Sequence, residues 1–408
     1  MSLPLTPTTE SEVADIVRDR AARGEPLSIC GGNTRSGFGN PVRADTSLTT
    51  SDLSGIVSYN PSEMVLTAKS GTPVAEIEAA LAEAGQMMAF EPVDHRALMG
   101  TDGEPTIGGL FAANVSGPRR FVAGAARDAL LGVRFVNGRG EIVKAGGRVM
   151  KNVTGLDLVK LMAGSYGTLG IMTEVTFKVL PRPQAVETII VDDLDDEQAT
   201  SAMASAMALP VEVSGAAHLP PTVSWRYGEF GLSSGGATVL RLEGLQSSVE
   251  ARAEKLVSAM AGLGALRRLN RDQSMALWQA IADVAPYADG SQKPVWRVSV
   301  APTRGHQLVA ALRLEAGIDA FYDWQGGLVW MRMEAGIEAD LVRAGVRSVG
   351  GGHATLVRAA EGMRAGIAAF EPRDSAVAAL EEAIRLKFDP AGIFNPGKMA
   401  LKSGLVAA

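Results

Sequence analysis

An α+β protein with more than one hydrophobic core is what this sequence predicts, and three observations carry that expectation. The chain has 408 residues, more than one ordinary core accommodates. Segments with helical spacing of apolar residues are interleaved with short apolar runs of strand character. A Pro181-Arg182-Pro183 break then separates two stretches of different texture.

The elements follow in order. Residues 10–23 carry helical spacing, with Thr9 placed to cap the start and Gly24 to stop the end. A strand at 27–30 runs directly into a glycine-rich loop, and strand-like pieces follow at 56–59 and 64–68. Helix 73–84 has proline in its first turn and Gly85 beyond its end. Residues 133–144 read as a hairpin whose turn begins Asn137-Gly138. A helical stretch at 156–163 leads into the strand 171–180. Beyond the proline break, strands at 187–191, 237–243 and 294–300 precede helices at 196–208, 247–261 and 303–315. Strand pieces at 318–324 and 328–334 follow, a pattern that suggests helices on one face of a sheet. A last helix is expected at 374–387.

Composition narrows the function classes. Hydrophobic residues at 46% and charged residues at 21% describe a compact globular chain, not a disordered one. Thirty-nine basic residues against 45 acidic ones give a net charge of −6, which disfavours a nucleic-acid surface. No apolar run approaches the length of a membrane span, and the opening MSLPLTPTTE lacks the pattern of a secretory signal. The single cysteine, Cys30, excludes an internal disulfide framework and any four-cysteine cluster, and fits a reducing cytosol.

Glycine is the outlier, with 46 residues, and it is concentrated rather than spread. The first cluster is Gly31-Gly32-Asn33-Thr34-Arg35-Ser36-Gly37, directly after a strand. Successive small-residue peptides there form either a surface turn or an anion nest suited to a pyrophosphate, with Arg35 adding charge. The second cluster, from Thr106 and Ile107 through Gly108, Gly109, Asn114, Ser116 and Gly117 to Arg120, carries little side-chain bulk. It serves either as a bed for a planar ring or phosphate, or as a helix packed closely on a neighbour. The third, Gly164 to Ile171, is a glycine-rich turn that becomes a strand. No G-x-G-x-x-G opens a helix and no phosphate-binding G-x-x-x-x-G-K-[ST] occurs, so a Rossmann or triphosphate site is not expected.

Taken in order, GGNTRSG, TIGGLFAANVSG, GSYGTLGIMTE and DPAGIFNPGK resemble the FAD domain of the vanillyl-alcohol oxidase and p-cresol methylhydroxylase family. Within it, GRVMKNVTGLDLVKLMAGSYG is most similar to the E subunits of bacterial glycolate oxidases (glycolate dehydrogenases). The resemblance implies a p-cresol methylhydroxylase-type FAD-binding domain over 1–183 and an α+β cap-like domain over 184–373. A C-terminal segment, 374–408, would pack back on the first domain. It implies that Gly31, Gly32, Asn33, Thr34, Arg35 and Ser36 hold the pyrophosphate. Pro92, Thr106, Ile107, Gly109, Asn114, Ser116 and Gly117 would line the flavin, ribityl and diphosphate path. Gly170 and Ile171 would serve the adenine side, and Asn395 would return to the isoalloxazine region.

Two departures from the family pattern qualify the function. Many relatives attach FAD through a histidine of the pyrophosphate loop, and none stands near Gly32, so bound FAD is expected to be non-covalent. The 2-hydroxyacid dehydrogenases of the family also resemble one another in an H.GDGN.H metal segment and a later E-H-G triplet. Here the corresponding stretch reads SVGGGHAT, with His353 alone, and one histidine cannot build a catalytic metal site. No metal is therefore expected. His353, His95 and Arg358 are the candidates for touching substrate, and Arg119, Arg120 and Arg358 for pairing a small carboxylate. The resemblance implies a heteromeric 2-hydroxy acid oxidase in which this chain is a partner or electron-relay subunit. Its companions would be a larger paralogous FAD subunit and an iron–sulfur subunit, in the cytosol or peripheral at the inner membrane through them. The alternative is a self-sufficient D-lactate or glycolate dehydrogenase.

Overall fold

The computed structural model describes residues 3–148, 156–232 and 235–400. Part of the GRVMKNVTGLDLVKLMAGSYG stretch, residues 149–155, lies outside them. The first helix, Glu10–Arg23, starts where the Thr9 side chain accepts the Glu12 N–H and ends at Gly24 in the left-handed region, φ 65°. Strand β1, Leu27–Cys30, pairs in parallel with β2, Thr46–Thr49. Strands β3 (Ile56–Asn60) and β4 (Val65–Lys69) follow, then helix Val74–Glu83 and the short β5, Gln86–Met87. Strands β6 (Leu130–Val136), β7 (Ile142–Gly146) and β8 (Ile171–Lys178) complete an antiparallel sheet of order β3-β4-β8-β6-β7. Its core buries Phe111, Phe135, Phe177, Leu66 and Ile77.

The β6–β7 connection differs from a two-residue turn. Asn137 Oδ1 accepts the N–H groups of Arg139 and Glu141, and Gly140, not Asn137 or Gly138, has positive φ. Gly138 is needed for another reason. Its N–H donates to Phe388 O at 2.8 Å, and a Cβ there would lie 2.6 Å from Asp389 Cα.

After β9 (Leu180–Pro181), strands β10 (Ala185–Asp192), β11 (Gly215–Leu219), β12 (Ala237–Gly244) and β13 (Leu266–Leu269) enter a second sheet. Strands β14 (Val295–Ser299), β15 (Ile318–Asp323), β16 (Leu328–Met333) and β17 (His353–Arg358) complete it, in the order β13-β10-β12-β11-β15-β16-β14-β17. Helices Asp196–Ala208, Gln246–Met260, Gly305–Arg313 and Ala339–Ser348 cover one face through Ile189, Val191, Leu240, Val298 and Met331. The expectation of helices on one face holds for these four but not for Arg271–Ala282. That helix packs on the opposite face with Ile190, Val239, Phe321 and Trp330. Every residue of β16 is buried, so both faces of this sheet require cover. The second face receives it from residues early in the chain, including Phe38, Leu98, Phe121 and Tyr166.

The C-terminal helix Ser375–Phe388 delivers the chain back to the start. Leu27 donates its N–H to Ile393 O, and Asn395 donates its own to Leu27 O, extending β1 by a bridge.

Candidate functional site

The three glycine clusters and the C-terminal turn converge where β1 ends. The loop after β1 packs on residues 101–106 at backbone distance. A Cβ on Gly31 would lie 2.1 Å from Thr106 Oγ1, and one on Gly32 would lie 1.6 Å from Glu104 O. These glycines are thus required first by the approach of another loop. The same contact leaves the loop's own donors free. Among the described residues, no backbone N–H from Gly31 to Gly37 finds a protein acceptor. Seven successive N–H groups in a partly exposed loop are thus available to an anion.

Asn395 locks this arrangement. Its Oδ1 accepts the Ile29 N–H at 2.7 Å, and its Nδ2 donates to Ile29 O at 3.2 Å and Tyr166 O at 2.8 Å. A Cβ on Gly167 would come within 2.9 Å of that nitrogen. Asn395 therefore joins the first cluster to the third through its amide. Next to Tyr166, the Ser165 hydroxyl is buried without a protein partner.

The second cluster forms the helix Ile107–Ala113, capped by Thr106 Oγ1 on the Gly109 N–H and closed by Asn114 in the left-handed region. Gly108 packs against Ser70, whereas a Cβ on Gly109 would meet only Thr106 Oγ1, at 3.1 Å. The side chains of Asn114 and Ser116 accept the N–H groups of Arg127 and Ala126. Gly117 donates its N–H to Phe90 O. Gly170 lies against Phe135, and Ile171 opens β8 opposite Val136.

Arg35 behaves differently from the sequence expectation. Its Nε donates to His95 Nδ1 at 3.1 Å and its Nη2 to Val93 O at 2.9 Å. Burial brings its pKa down to about 10. Burial, together with the Arg35 and Arg297 cations, holds His95 well below the usual imidazole range. The ring is neutral, with Nδ1 accepting and the proton on Nε2. Phe38 meets His95 edge-on and stacks on Tyr166 at 5.8 Å. Pro92 lines a cavity of about 190 Å³ with Glu91, Arg119, Arg241 and Trp278, at the seam between the two sheets.

The remaining candidates do not gather there. His353 is exposed at the start of the edge strand β17. Arg358 is buried, with its guanidinium donating to the carbonyls of Lys293, Leu98 and Tyr287. Arg119 pairs with Glu91 and Glu243. Among the described residues no three histidine, cysteine or acidic side chains cluster as a metal site. Sequence reasoning passed over Arg297, Asp323 and Trp324, which also reach this seam. The available signal was a charged residue inside the apolar strand VWRVS.

Residues 2–146 match the FAD binding domain family, and the unpaired donors of the first loop suit that cofactor's pyrophosphate. The fold is shared with p-cresol methylhydroxylase, whose substrate-bound crystal structure superposes with a TM-score of 0.68 at 15% identity. That match covers 97% of this chain and 88% of the other. The chain accordingly has the p-cresol methylhydroxylase fold, with an FAD binding domain over residues 2–146. It is 33% identical over 374 residues to glycolate oxidase subunit GlcE of Escherichia coli, covering 92% of each chain. The chain belongs to the family of that subunit. Glycolate oxidase subunit GlcD of Bacillus subtilis is 28% identical over 57% of this chain and 48% of its own length.

Proposed function

We propose that this chain is the non-covalently FAD-bearing partner subunit of a heteromeric oxidase or dehydrogenase of small 2-hydroxy acids such as glycolate. The observation that carries the cofactor part of the proposal is the run of N–H groups from Gly31 to Gly37, unpaired among the described residues, in a loop with no histidine to form a covalent link. In this reading Gly31, Gly32, Asn33, Thr34 and Ser36 hold the pyrophosphate. Thr106, Ile107, Gly109, Asn114, Ser116 and Gly117 border the flavin and ribityl path beside Pro92. Gly170 and Ile171 flank the adenosine. Asn395 acts by positioning, since its amide is committed to Ile29 and Tyr166. Arg35 orients and discharges His95. When bound, the isoalloxazine would supply a two-electron carrier within the assembly. Residues 1–183 form the cofactor domain, 184–373 the cap and 374–408 the returning segment.

Similarity to a named glycolate oxidase subunit supports the partner role. A larger FAD subunit and an iron–sulfur subunit are the proposed companions, because one cysteine gives this chain no cluster of its own. No helix among the described residues is long and apolar enough to cross a membrane. We place the assembly in the cytosol, or at the inner membrane through its partners. Acid precipitation of the purified chain should leave yellow FAD in the supernatant. Anaerobic glycolate should bleach the flavin of the reconstituted assembly but not that of the lone chain. A yellow pellet refutes the non-covalent link, and bleaching of the lone chain refutes the partner role.

A further inference from the structure

Three arginines stood as candidates to pair a small carboxylate, and the structure separates them. Arg119 is neutralised by Glu91 and Glu243, and Arg358 is consumed by backbone carbonyls. Arg120 is neither. Its guanidinium lies 4.6 Å from the ring centroid of Trp324, and that of Arg297, on β14, lies 4.8 Å from the same centroid. Among the described residues neither guanidinium makes a hydrogen bond or an ion pair with the protein. Both residues are partly exposed.

Trp324 is held there at a cost. It forms the tip of the β15–β16 hairpin with φ 50°, and Gln325 after it has φ 63°. Two consecutive non-glycine residues in the left-handed region persist only where their surroundings impose the conformation, and such strain gathers at functional sites. Here the Trp324 N–H donates to Asp323 Oδ1 at 2.7 Å, and its Nε1 donates to Gly117 O at 3.0 Å. The second bond ties the cap sheet to the second glycine cluster, three residues before Arg120.

The nearby carboxyls, Asp128 for Arg120 and Asp323 for Arg297, act on the pair through space without a hydrogen bond or ion pair to it. Asp128 accepts the Ala125 N–H within its own turn. Asp323 is raised to about 7 by burial, against the pull of the Trp324 N–H and in concert with Glu91. Burial, reinforced by Arg120, lowers Arg297 to about 10. Two cations without a hydrogen-bond or ion-pair partner among the described residues, beside one indole and next to Phe121 and Tyr166 on an apolar face, suit a planar anion with a small organic body.

We infer that Arg120 and Arg297, clasping Trp324 at the seam between the two sheets, form a binding site for the carboxylate of a small organic acid. The choice of a small acid rests on the proposed 2-hydroxy acid function, whereas the anion site rests on the geometry alone. The site implies that this subunit engages the acid itself, whichever flavin oxidises it.

Isothermal titration of the purified, flavin-loaded chain with oxalate and with glycolate tests the inference, with inorganic phosphate as the comparison anion. Oxalate should bind the wild type, and Arg297→Gln and Arg120→Gln should each weaken it at least about tenfold, equivalent to about 1.4 kcal/mol. Arg297→Lys should recover part of the loss, and all variants should keep their FAD content. Arg120 lies on a short, partly exposed helix, so Arg120→Gln remains a test if Arg297→Gln folds poorly. No heat from the wild type at millimolar oxalate overturns the site, as does wild-type affinity in either glutamine variant. Phosphate binding as tight as oxalate overturns the carboxylate assignment, and loss of FAD in step with loss of oxalate assigns the pair to the flavin instead. A wild-type chain that takes up no FAD defeats the proposed function, while a flavin-loaded chain indifferent to oxalate defeats only this inference.

Discussion

Asp323 shows how one side chain couples the seam to pH. Burial raises its pKa to about 7, and Glu91 adds to the rise while the Trp324 N–H and the cations of Arg241 and Arg297 oppose it. A carboxyl raised in the folded state favours folding in its protonated form. That contribution is complete below the unfolded pKa, near 3.9, and is lost as pH rises through about 7. Asp323→Asn keeps an acceptor for the Trp324 N–H and removes the titration. Urea unfolding should find variant and wild type similar at pH 4, and the variant more stable at pH 8 by on the order of a few kcal/mol. An unchanged difference across that range would show that Asp323 is ionised throughout.

At the scale of an element, the helix Ile107–Ala113 separates two uses of glycine that look alike in the sequence. A Cβ on Gly108 would stand 2.5 Å from Ser70 Cβ and 2.8 Å from Ser70 O, so the helix must shift to admit it. Gly109 faces outward from that contact. Gly108→Ala should destabilise the fold by about 1–3 kcal/mol through overpacking. Gly109→Ala should leave the melting temperature near that of the wild type, yet lower FAD affinity several-fold. Thermal melts of the apo forms, paired with FAD titrations, read the two effects separately. Equal behaviour of the two variants would refute the assignment of the outward face to the cofactor.

The whole molecule is joined across its seam by charge as well as by apolar packing. Glu91 accepts from Arg241 at 2.6 and 3.1 Å and from the Arg119 N–H at 2.6 Å, while Arg119 reaches Glu243 on β12. The Arg241 guanidinium also lies 4.7 Å from the Trp278 ring centroid. Burial opposes ionisation of Glu91, but Arg241 and Arg119 outweigh it and lower its pKa. Removing one member of such a pair leaves a buried charge unmatched, so Arg241→Ala should cost about 3–5 kcal/mol. Calorimetry should show the transition broaden or split as the two sheets uncouple. A loss below about 1 kcal/mol would mean that apolar contacts alone hold the seam.

Much of this protein was determined by its sequence alone, because the signals involved are local. Apolar periodicity placed the helix Glu10–Arg23, strands β1, β10 and β12, and helix Asp196–Ala208 to within a few residues, since capping and alternation depend on neighbours in the chain. The ordered glycine clusters pointed to FAD, and the matching family supports that reading. What only the tertiary structure decided is which groups share a space. Arg35 and His95 are 60 residues apart, Asn395 meets Ile29 across 366, and Trp324 meets Gly117 across 207. Whether an arginine is free to bind an anion depends on the carboxylates and carbonyls that other segments bring to it. Local spacing carries no record of that, which is why Arg119, Arg120 and Arg358 looked equivalent until the fold matched two of them with partners and left the third beside Arg297.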